Sequence, residues 1–395
     1  MATNTTEQPG LGPGDGPYTN PSLQANLFFR VFLGILANIC CWVPMKLLWS
    51  NGEFAAAVFC LTTMVLNVFY SVNAMIWPDE NTAKWWLGHG WCDMQVYLFY
   101  ALDTLYTACV FEIMRQLADK VALSRVTSLS RAERRRRHLV SGLVIFPIPL
   151  LQVIMTWFVQ SQRYSIGPLI GCLANYDSTL PYLITFVIPP PILTLGAAIF
   201  AALTWKRFRD VDRNNRNLLS SSGNEMAIRQ ARVRRKLYFL TLAILIPYSV
   251  VQFLFLASNI TSQVSWSRPY NYDQIHYNPP PNQWTGSSPN AWNRITFILT
   301  DELDFASQNM NYTPILTVIP LFVSFGATKE AINVYRRYLL KLGLGRIWPR
   351  LEEEYDPDIS TSGTTRAAWS LKMPSILRRC VYSAILPLQM ALAFD

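Results

Sequence analysis

Between Leu27 and Ala327 the chain alternates long apolar runs with short polar gaps, and the gaps themselves alternate between strongly basic and nearly uncharged. A hydrocarbon layer about 30 Å thick takes roughly 20 helical residues to cross. The runs have that length: Leu27–Trp49, Phe54–Trp77, Cys92–Leu117, Leu139–Val159, Leu180–Trp205, Leu237–Ser258 and Leu303–Ala327. The last is the weakest, because Asp301 to Asn311 is polar and Pro314 and Pro320 fall inside it. Proline is tolerated in lipid where neighbours satisfy the carbonyl it frees.

The basic residues orient the runs. Lys120, Arg125, Arg131 and Arg134 to Arg137 lie between spans three and four, and Lys206, Arg207, Arg209, Arg213, Arg216, Arg229, Arg232, Arg234, Arg235 and Lys236 between five and six. The opposite gaps hold Lys84, Arg163, Arg268 and Arg294, and nothing before Asn26 is basic. Cytoplasmic loops carry the excess of lysine and arginine, which puts the N-terminus outside and the basic tail beyond Lys329 inside. Termini on opposite sides need an odd number of crossings. The expected fold is an all-α, seven-helix transmembrane bundle: an extracellular tail over 1–26, the bundle over 27–328, and a cytoplasmic tail over 329–395.

Composition agrees. The 395 residues are 51% hydrophobic and 15% charged with a net charge of +9, so the charge must be segregated rather than spread over a soluble surface. Residues 1–26 lack a basic stretch followed by an apolar one, so the first span is expected to act as its own insertion signal. The basic gaps call for membrane lipids as partners and not for nucleic acid.

Of the seven cysteines only Cys92 and Cys172 fall in the outward region, where an oxidising exterior favours a bridge over two free thiols. Asn4-Thr5-Thr6 and Asn259-Ile260-Thr261 fit glycosylation acceptors on the same side, although such triplets also arise by chance. Enzyme chemistry has little to build on. His89, His138 and His276 lie in three different gaps, and no phosphate loop, activated nucleophile or HExxH motif occurs. No cofactor or metal is expected.

Ionisable groups inside the membrane are functional-site candidates by default. Asp103 falls near the middle of span three, and Glu112 with Arg115, three residues apart, can neutralise each other further along it. Tyr100 and Tyr106 flank Asp103 at three-residue spacing, close enough to one face to line a cavity with it, or else simply to pack the bundle. Asn38, Asn67, Asn73, Gln152 and Gln252 read as hydrogen-bonding residues between helices.

Particular residues then carry a family likeness. Gly90-Trp91-Cys92-Asp93 at the head of span three, Gly171-Cys172 followed by Pro181, and Pro189-Pro190 in span five resemble the fungal mating-pheromone receptors of the a-factor, or lipopeptide, type. Pro320-Leu321-Phe322 through Phe325-Gly326, then Glu330-Ala331 and Tyr335, are similar to that family's inner end of helix seven, and Arg115-Gln116-Leu117 to its inner end of helix three. The likeness covers about Leu27 to Arg337, with Ile188 and a long gap from Asn259 to Thr300 as departures.

The resemblance implies a G-protein-coupled receptor in the plasma membrane. Its ligand would be a short secreted peptide carrying a farnesyl group and a methylated C-terminus. The implied ligand residues are Tyr97, Tyr100, Asp103, Tyr106, Tyr176 and Tyr182. A heterotrimeric G protein would meet Arg115, Arg134, Arg135, Arg232, Arg234 and Arg235, residues that equally serve topology and lipid headgroups, with Pro247 as the pivot of helix six. A second copy of the chain is a further candidate partner. A receptor of this fold for another hydrophobic ligand, and a transporter, stand as alternatives, the latter without the two-fold repeat that transporters show. In the tail, Glu330 to Leu344 reads as an amphipathic surface helix, followed by an acidic patch from Glu352 to Asp358, Cys380 beside two arginines, and an apolar end from Val381 to Phe394.

Overall fold

The computed structural model describes residues 21–122, 131–216, 225–261, 269–277, 292, 295–303, 305–341 and 343. Its helices follow the apolar runs: α1 (Pro21–Ser50), α2 (Phe54–Ile76), α3 (Trp91–Ala122), then α4 (Arg131–Ile145) and α5 (Pro147–Val159), which together make one broken span. A hairpin follows, β1 (Gln160–Gly167) and β2 (Gly171–Tyr176), then the single turn α6 (Leu180–Tyr182), a π turn over Leu183–Val187 and α7 (Pro189–Arg216). The long α8 (Glu225–Thr261) leads to α9 (Tyr272–Tyr277), β3 (Ile295–Phe297), α10 (Phe305–Asn309), α11 (Tyr312–Leu321), a second π turn over Phe322–Gly326, and α12 (Lys329–Lys341). Six helices are long and apolar enough to cross a membrane, or up to seven if Tyr312–Gly326 and the helix Glu330–Lys341 count together as one bent span. The chain divides into two compact units, 1–331 and 332–395.

Within the first unit, α3 is the hub, packing on α2, α4, α5, α7 and α8, while α11 lies against α1, α2 and α8. The α1–α2 contact is close because small residues meet there: a Cβ on Gly34 would lie 2.4 Å from Ser71 Oγ. Large apolar side chains such as Phe28, Phe32, Ile35 and Ile39 point away from the bundle, as a lipid-facing surface requires.

Prolines set the breaks. Pro147 opens α5 after the helix ends at Ile145, because a ring nitrogen cannot continue the ladder. In the fifth span Pro189 cannot donate to the Thr185 carbonyl, and Gln152 Nε2 of α5 does so instead at 2.8 Å. The π turn just before it closes through Ile188 N–H to Leu183 O at 3.0 Å. The second π turn ends at Gly326, where a Cβ would lie 2.4 Å from the Phe322 ring, so the tight coil there needs glycine.

Two expectations are corrected. The fold is not all helical: β1 pairs antiparallel with β2 and parallel with β3, giving a three-stranded sheet in the order β2-β1-β3. The expected seventh span from Leu303 to Ala327 is also not continuous, because the chain turns at Met310 and Asn311 between α10 and α11. By contrast, Asn67 Nδ2 bonds Asn38 Oδ1 at 3.2 Å, Asn73 Nδ2 bonds Ile170 O and Gln152 bonds Thr185 O, so these amides do join separate elements.

Candidate functional site

The hairpin lies over one end of the bundle and is fixed to α1, α2 and α3. Cys172 in β2 is bonded to Cys92 at the head of α3. Arg163 of β1 forms a two-pronged ion pair with Asp93, both bonds 2.7 Å, which holds the Arg163 guanidinium above its already high pKa. At the hairpin tip Leu169 has φ of +61°, and its side chain is buried among Leu23 and Ala74. Gly171 has φ of +77° and sits where any Cβ would collide with Asn73, so the tip needs glycine there.

The tip is tied down by a residue that hydropathy passes over. Arg30, in the middle of an apolar stretch of α1, is 1% exposed and donates to Leu169 O at 3.0 Å, to Gln308 O in α10 and to Asn26 Oδ1. It therefore joins α1, the hairpin and the segment leading into α11. A charged side chain inside an apolar run is itself the signal that marks such a residue.

Beneath lies a cavity of about 50 Å³ lined from α2 by Leu66 and Tyr70, from α3 by Phe99, Asp103 and Tyr106, from α8 by Tyr248, Val251 and Gln252, and near α11 by Met310, Thr313 and Pro314. Asp103 stands at its polar wall. Tyr248 OH donates to Asp103 Oδ1 at 3.0 Å, and Gln252 Nε2 bonds Tyr248 OH at 2.6 Å and approaches Asp103 Oδ2 at 3.5 Å. Thr107 Oγ1 meets the same tyrosine hydroxyl at 2.9 Å, and Tyr106 OH meets Thr317 Oγ1 of α11 at 2.7 Å. Among the described residues no basic side chain forms an ion pair with Asp103. One carboxyl and two tyrosines thus connect α3, α8 and α11, directly beside Pro247, which lies inside α8.

The residues expected to bind ligand separate into two groups. Asp103 and Tyr106 line the cavity. Tyr100, Tyr176 and Tyr182 instead stack with Phe186 in a buried aromatic cluster, with Tyr100 and Tyr176 rings 5.2 Å apart and Tyr176 and Tyr182 rings 5.2 Å apart. Tyr97 is half-buried one turn nearer the hairpin. The expected single face for Tyr100, Asp103 and Tyr106 fails for a geometric reason: each three-residue step on a helix drifts by about 60°, so Tyr100 and Tyr106 point about 120° apart. Tyr70 and Tyr248 were not anticipated; each is an isolated polar tip in an apolar run, a signal too common in bundles to stand out.

The other end of α3 is held by side chains. Glu112, fully buried, takes bonds from Arg115 Nε at 2.6 Å and from its terminal nitrogen at 2.7 Å, and Gln116 Nε2 bridges Glu112 to Ser141 of α4. Lys120 pairs with Glu53 at the start of α2 at 2.5 Å, and Arg207 of α7 reaches the Ala118 carbonyl. Arg134, Arg135 and Arg235 are exposed. The side chains of Arg232 and Arg234, all of Asn4, and the tail beyond 343 lie outside the described residues. Asn259 is on the last turn of α8 with Nδ2 bonded to Phe255 O at 2.9 Å, a helical setting rather than the surface loop an acceptor triplet uses. In the second unit, the helix reaching Lys341 carries Arg336, Arg337 and Lys341 among apolar residues.

The family model of the pheromone A receptor, STE3, matches residues 29–343. The chain is 24% identical to Pheromone receptor 2 of Mycosarcoma maydis over 294 residues, 72% of this chain and 77% of that protein. It is 23% identical to the Pheromone a factor receptor of Saccharomyces cerevisiae over 327 residues, 80% of this chain and 63% of that one. Against the Pheromone B alpha 3 receptor of Schizophyllum commune it is 28% identical over 41% of its length, but spans only 25% of that protein. The family match covers the helices, the hairpin and the Asp103 cavity alike, and on it the chain belongs to the fungal STE3 pheromone receptors, a family of multi-pass membrane receptors.

Proposed function

We propose that this protein is a plasma-membrane receptor for a secreted, farnesylated peptide pheromone and signals through a heterotrimeric G protein, with the hairpin outside and the basic ends of the helices in the cytoplasm. The observation that carries the reading is the cavity wall, where Asp103 of α3 is bonded to Tyr248, the residue next to the proline inside α8. A ligand group that donates to Asp103 competes with Tyr248 for the carboxylate and so acts on the helix at its weakest point. Activation follows only if the ligand prefers the arrangement in which the basic end opens, and a bound G protein must then tighten ligand binding by the same factor.

The size of the cavity bears on how a lipid-bearing ligand fits. About 50 Å³ is far below the roughly 300–1000 Å³ of sites for drug-sized ligands, so the farnesyl chain has to lie elsewhere or the helices have to part. Val251 and Met310 line the cavity and are also 46% and 42% exposed, more than so small a space can account for. These two side chains therefore stand at once on the cavity and on the outer surface of the bundle, between α8 and the start of α11. In a bilayer that surface faces lipid, the medium in which a farnesyl group arrives.

The test is a mating-response reporter cell lacking its own receptor, challenged with farnesylated and unfarnesylated peptides. Signalling by farnesylated peptides alone is expected, and silence to both removes the pheromone reading. With a responsive wild type, Asp103→Asn at equal surface expression is expected to shift the half-maximal dose upward by about tenfold or more, the effect of one lost charge-assisted bond. An unchanged dose curve would take Asp103 out of the ligand site.

A further inference from the structure

Two buried carboxamides near the cavity bond to nothing. Gln95 of α3 is fully buried, and neither its Oε1 nor its Nε2 has a partner. Asn311, in the turn before α11, is 1% exposed, and neither its Oδ1 nor its Nδ2 has one. Other buried amides with an unpartnered oxygen use their nitrogen: Gln152 bonds Thr185 O, Asn175 bonds Ser165 Oγ, and Asn67 bonds Asn38. Among the described residues, Gln95 and Asn311 are the buried carboxamides with both ends unbonded. Native interiors rarely leave a buried polar group in that state, because its lost hydration is not recovered.

Neither lines the cavity itself, but both adjoin residues that do. Gln95 precedes Phe99 by one helical turn and Tyr106 by three, within about 40° of each around the helix axis, and Phe99 and Tyr106 line the cavity. Asn311 sits between the lining residues Met310 and Thr313 and one turn before Pro314. The two side chains come from α3 and from the segment entering α11, which Arg30 ties to the hairpin through Gln308.

A carboxamide offers a carbonyl acceptor and an amide donor, the complement of the N–H and C=O of a peptide unit. We propose that Gln95 and Asn311 bind main-chain amides of the peptide part of the ligand, each taking an N–H on its oxygen and giving an N–H to a carbonyl. This rests on the pheromone reading above and deepens it. Because every peptide has these groups, the pair fixes how the peptide lies rather than which side chains it carries. The unbonded state is the resting cost of a site that is satisfied only when filled.

The experiment compares wild type with Gln95→Met and Asn311→Leu, near-isosteric changes that remove the polar atoms, in purified receptor and in the reporter cell. The probe is a farnesylated synthetic peptide that activates wild type, together with versions methylated at one backbone nitrogen each. Without ligand, both variants are expected to melt higher than wild type, since an unbonded buried group is gone. With ligand, the half-maximal dose should rise by about tenfold per lost bond. One N-methylated peptide should lose potency on wild type and lose little more on Gln95→Met, the non-additivity of two halves of one contact. Wild-type N-methyl scanning does not depend on any variant folding. A lower melting point for Gln95→Met would mean the amide is bonded in the folded chain and overturns the proposal. So would an unchanged dose, or N-methyl losses that simply add to those of the variants. A wild type silent to every farnesylated peptide overturns the pheromone reading itself, whereas a responsive wild type whose potency neither variant alters overturns only the carboxamide pair.

Discussion

The two ends of the bundle are fastened by different kinds of bond. At the hairpin end a disulfide, a pinned tip under Arg30 and the Asp93–Arg163 pair hold α1, α2, α3 and the sheet together. At the basic end α3 meets its neighbours through side chains that can let go one at a time: Lys120 with Glu53, Gln116 with Ser141, Arg207 with a carbonyl. Between them the Asp103 chain ties α3 to α8 and α11 beside a proline. A covalent closure at one end and exchangeable contacts at the other mean that a shift in the middle has only one end at which to appear.

The comparison breaks most visibly at its strongest bond. Cys172→Ser releases a closure between residues 80 apart in sequence, and disulfides typically contribute about 2–4 kcal/mol, more for longer loops. The purified variant should melt well below wild type and reach the cell surface poorly. If its melting point and surface level match wild type, the hairpin is held by its side chains and the contrast between the two ends is lost.

Next is the basic end. Glu112→Ala frees Arg115 and Gln116 together and leaves Arg115 without its buried partner, a change that typically costs about 3–5 kcal/mol for a fully buried pair and less here, where Arg115 is about a quarter exposed. Ligand-free reporter output is expected to rise several-fold at equal expression. Basal output at the wild-type level would show that α3 is not restrained from this end.

How much of this the sequence discloses differs between the two ends. The apolar runs locate the long helices because length and hydropathy are local properties, and Glu112 with Arg115 is legible because a helix brings residues three apart together. The hairpin is not legible in the same way. Gln160 to Tyr176 alternates poorly, because the two strands are buried along most of their length and β1 buries the polar Gln160, Ser161, Gln162 and Ser165 along with Tyr164 and Ile166. The cavity is half legible: Asp103 stands out as a charge in an apolar run, but its partners Tyr248 and Gln252 lie on a helix far along the chain, and only packing brings them within reach. Arg30 carries the same mark as Asp103, but its partners Leu169 and Gln308 lie far along the chain, and only packing brings them within reach.

Arg30→Met sharpens the comparison at intermediate strength. It removes the bonds to Leu169 O and Gln308 O, each to a charged donor and worth on the order of 1.5–3 kcal/mol when buried, against which stands relief from burying the charge. The net expected effect is a melting point a few degrees lower, with faster hydrogen exchange at the Leu169 amide, whose bond to Trp77 O keeps the tip closed. Exchange at wild-type rates would mean that burial of the Leu169 side chain alone holds the tip.

The smallest effect belongs to a contact that looks strong on distance. Arg163 and Asp93 meet through two bonds of 2.7 Å, yet their side chains are 26% and 36% exposed, and ion pairs open to water contribute about 1 kcal/mol or less. Asp93 also neighbours the disulfide at Cys92, and its carboxylate keeps a bond from Gly90 N–H at 2.9 Å whether or not Arg163 is there. Arg163→Gln should therefore lower the melting point only slightly while the disulfide is intact. In a Cys172→Ser background the same change should cost more, because the pair is then among the few ties left between β1 and α3. Equal losses in both backgrounds would show that the bridge and the ion pair act independently, and that the hairpin end is a sum of separate fasteners rather than one closure.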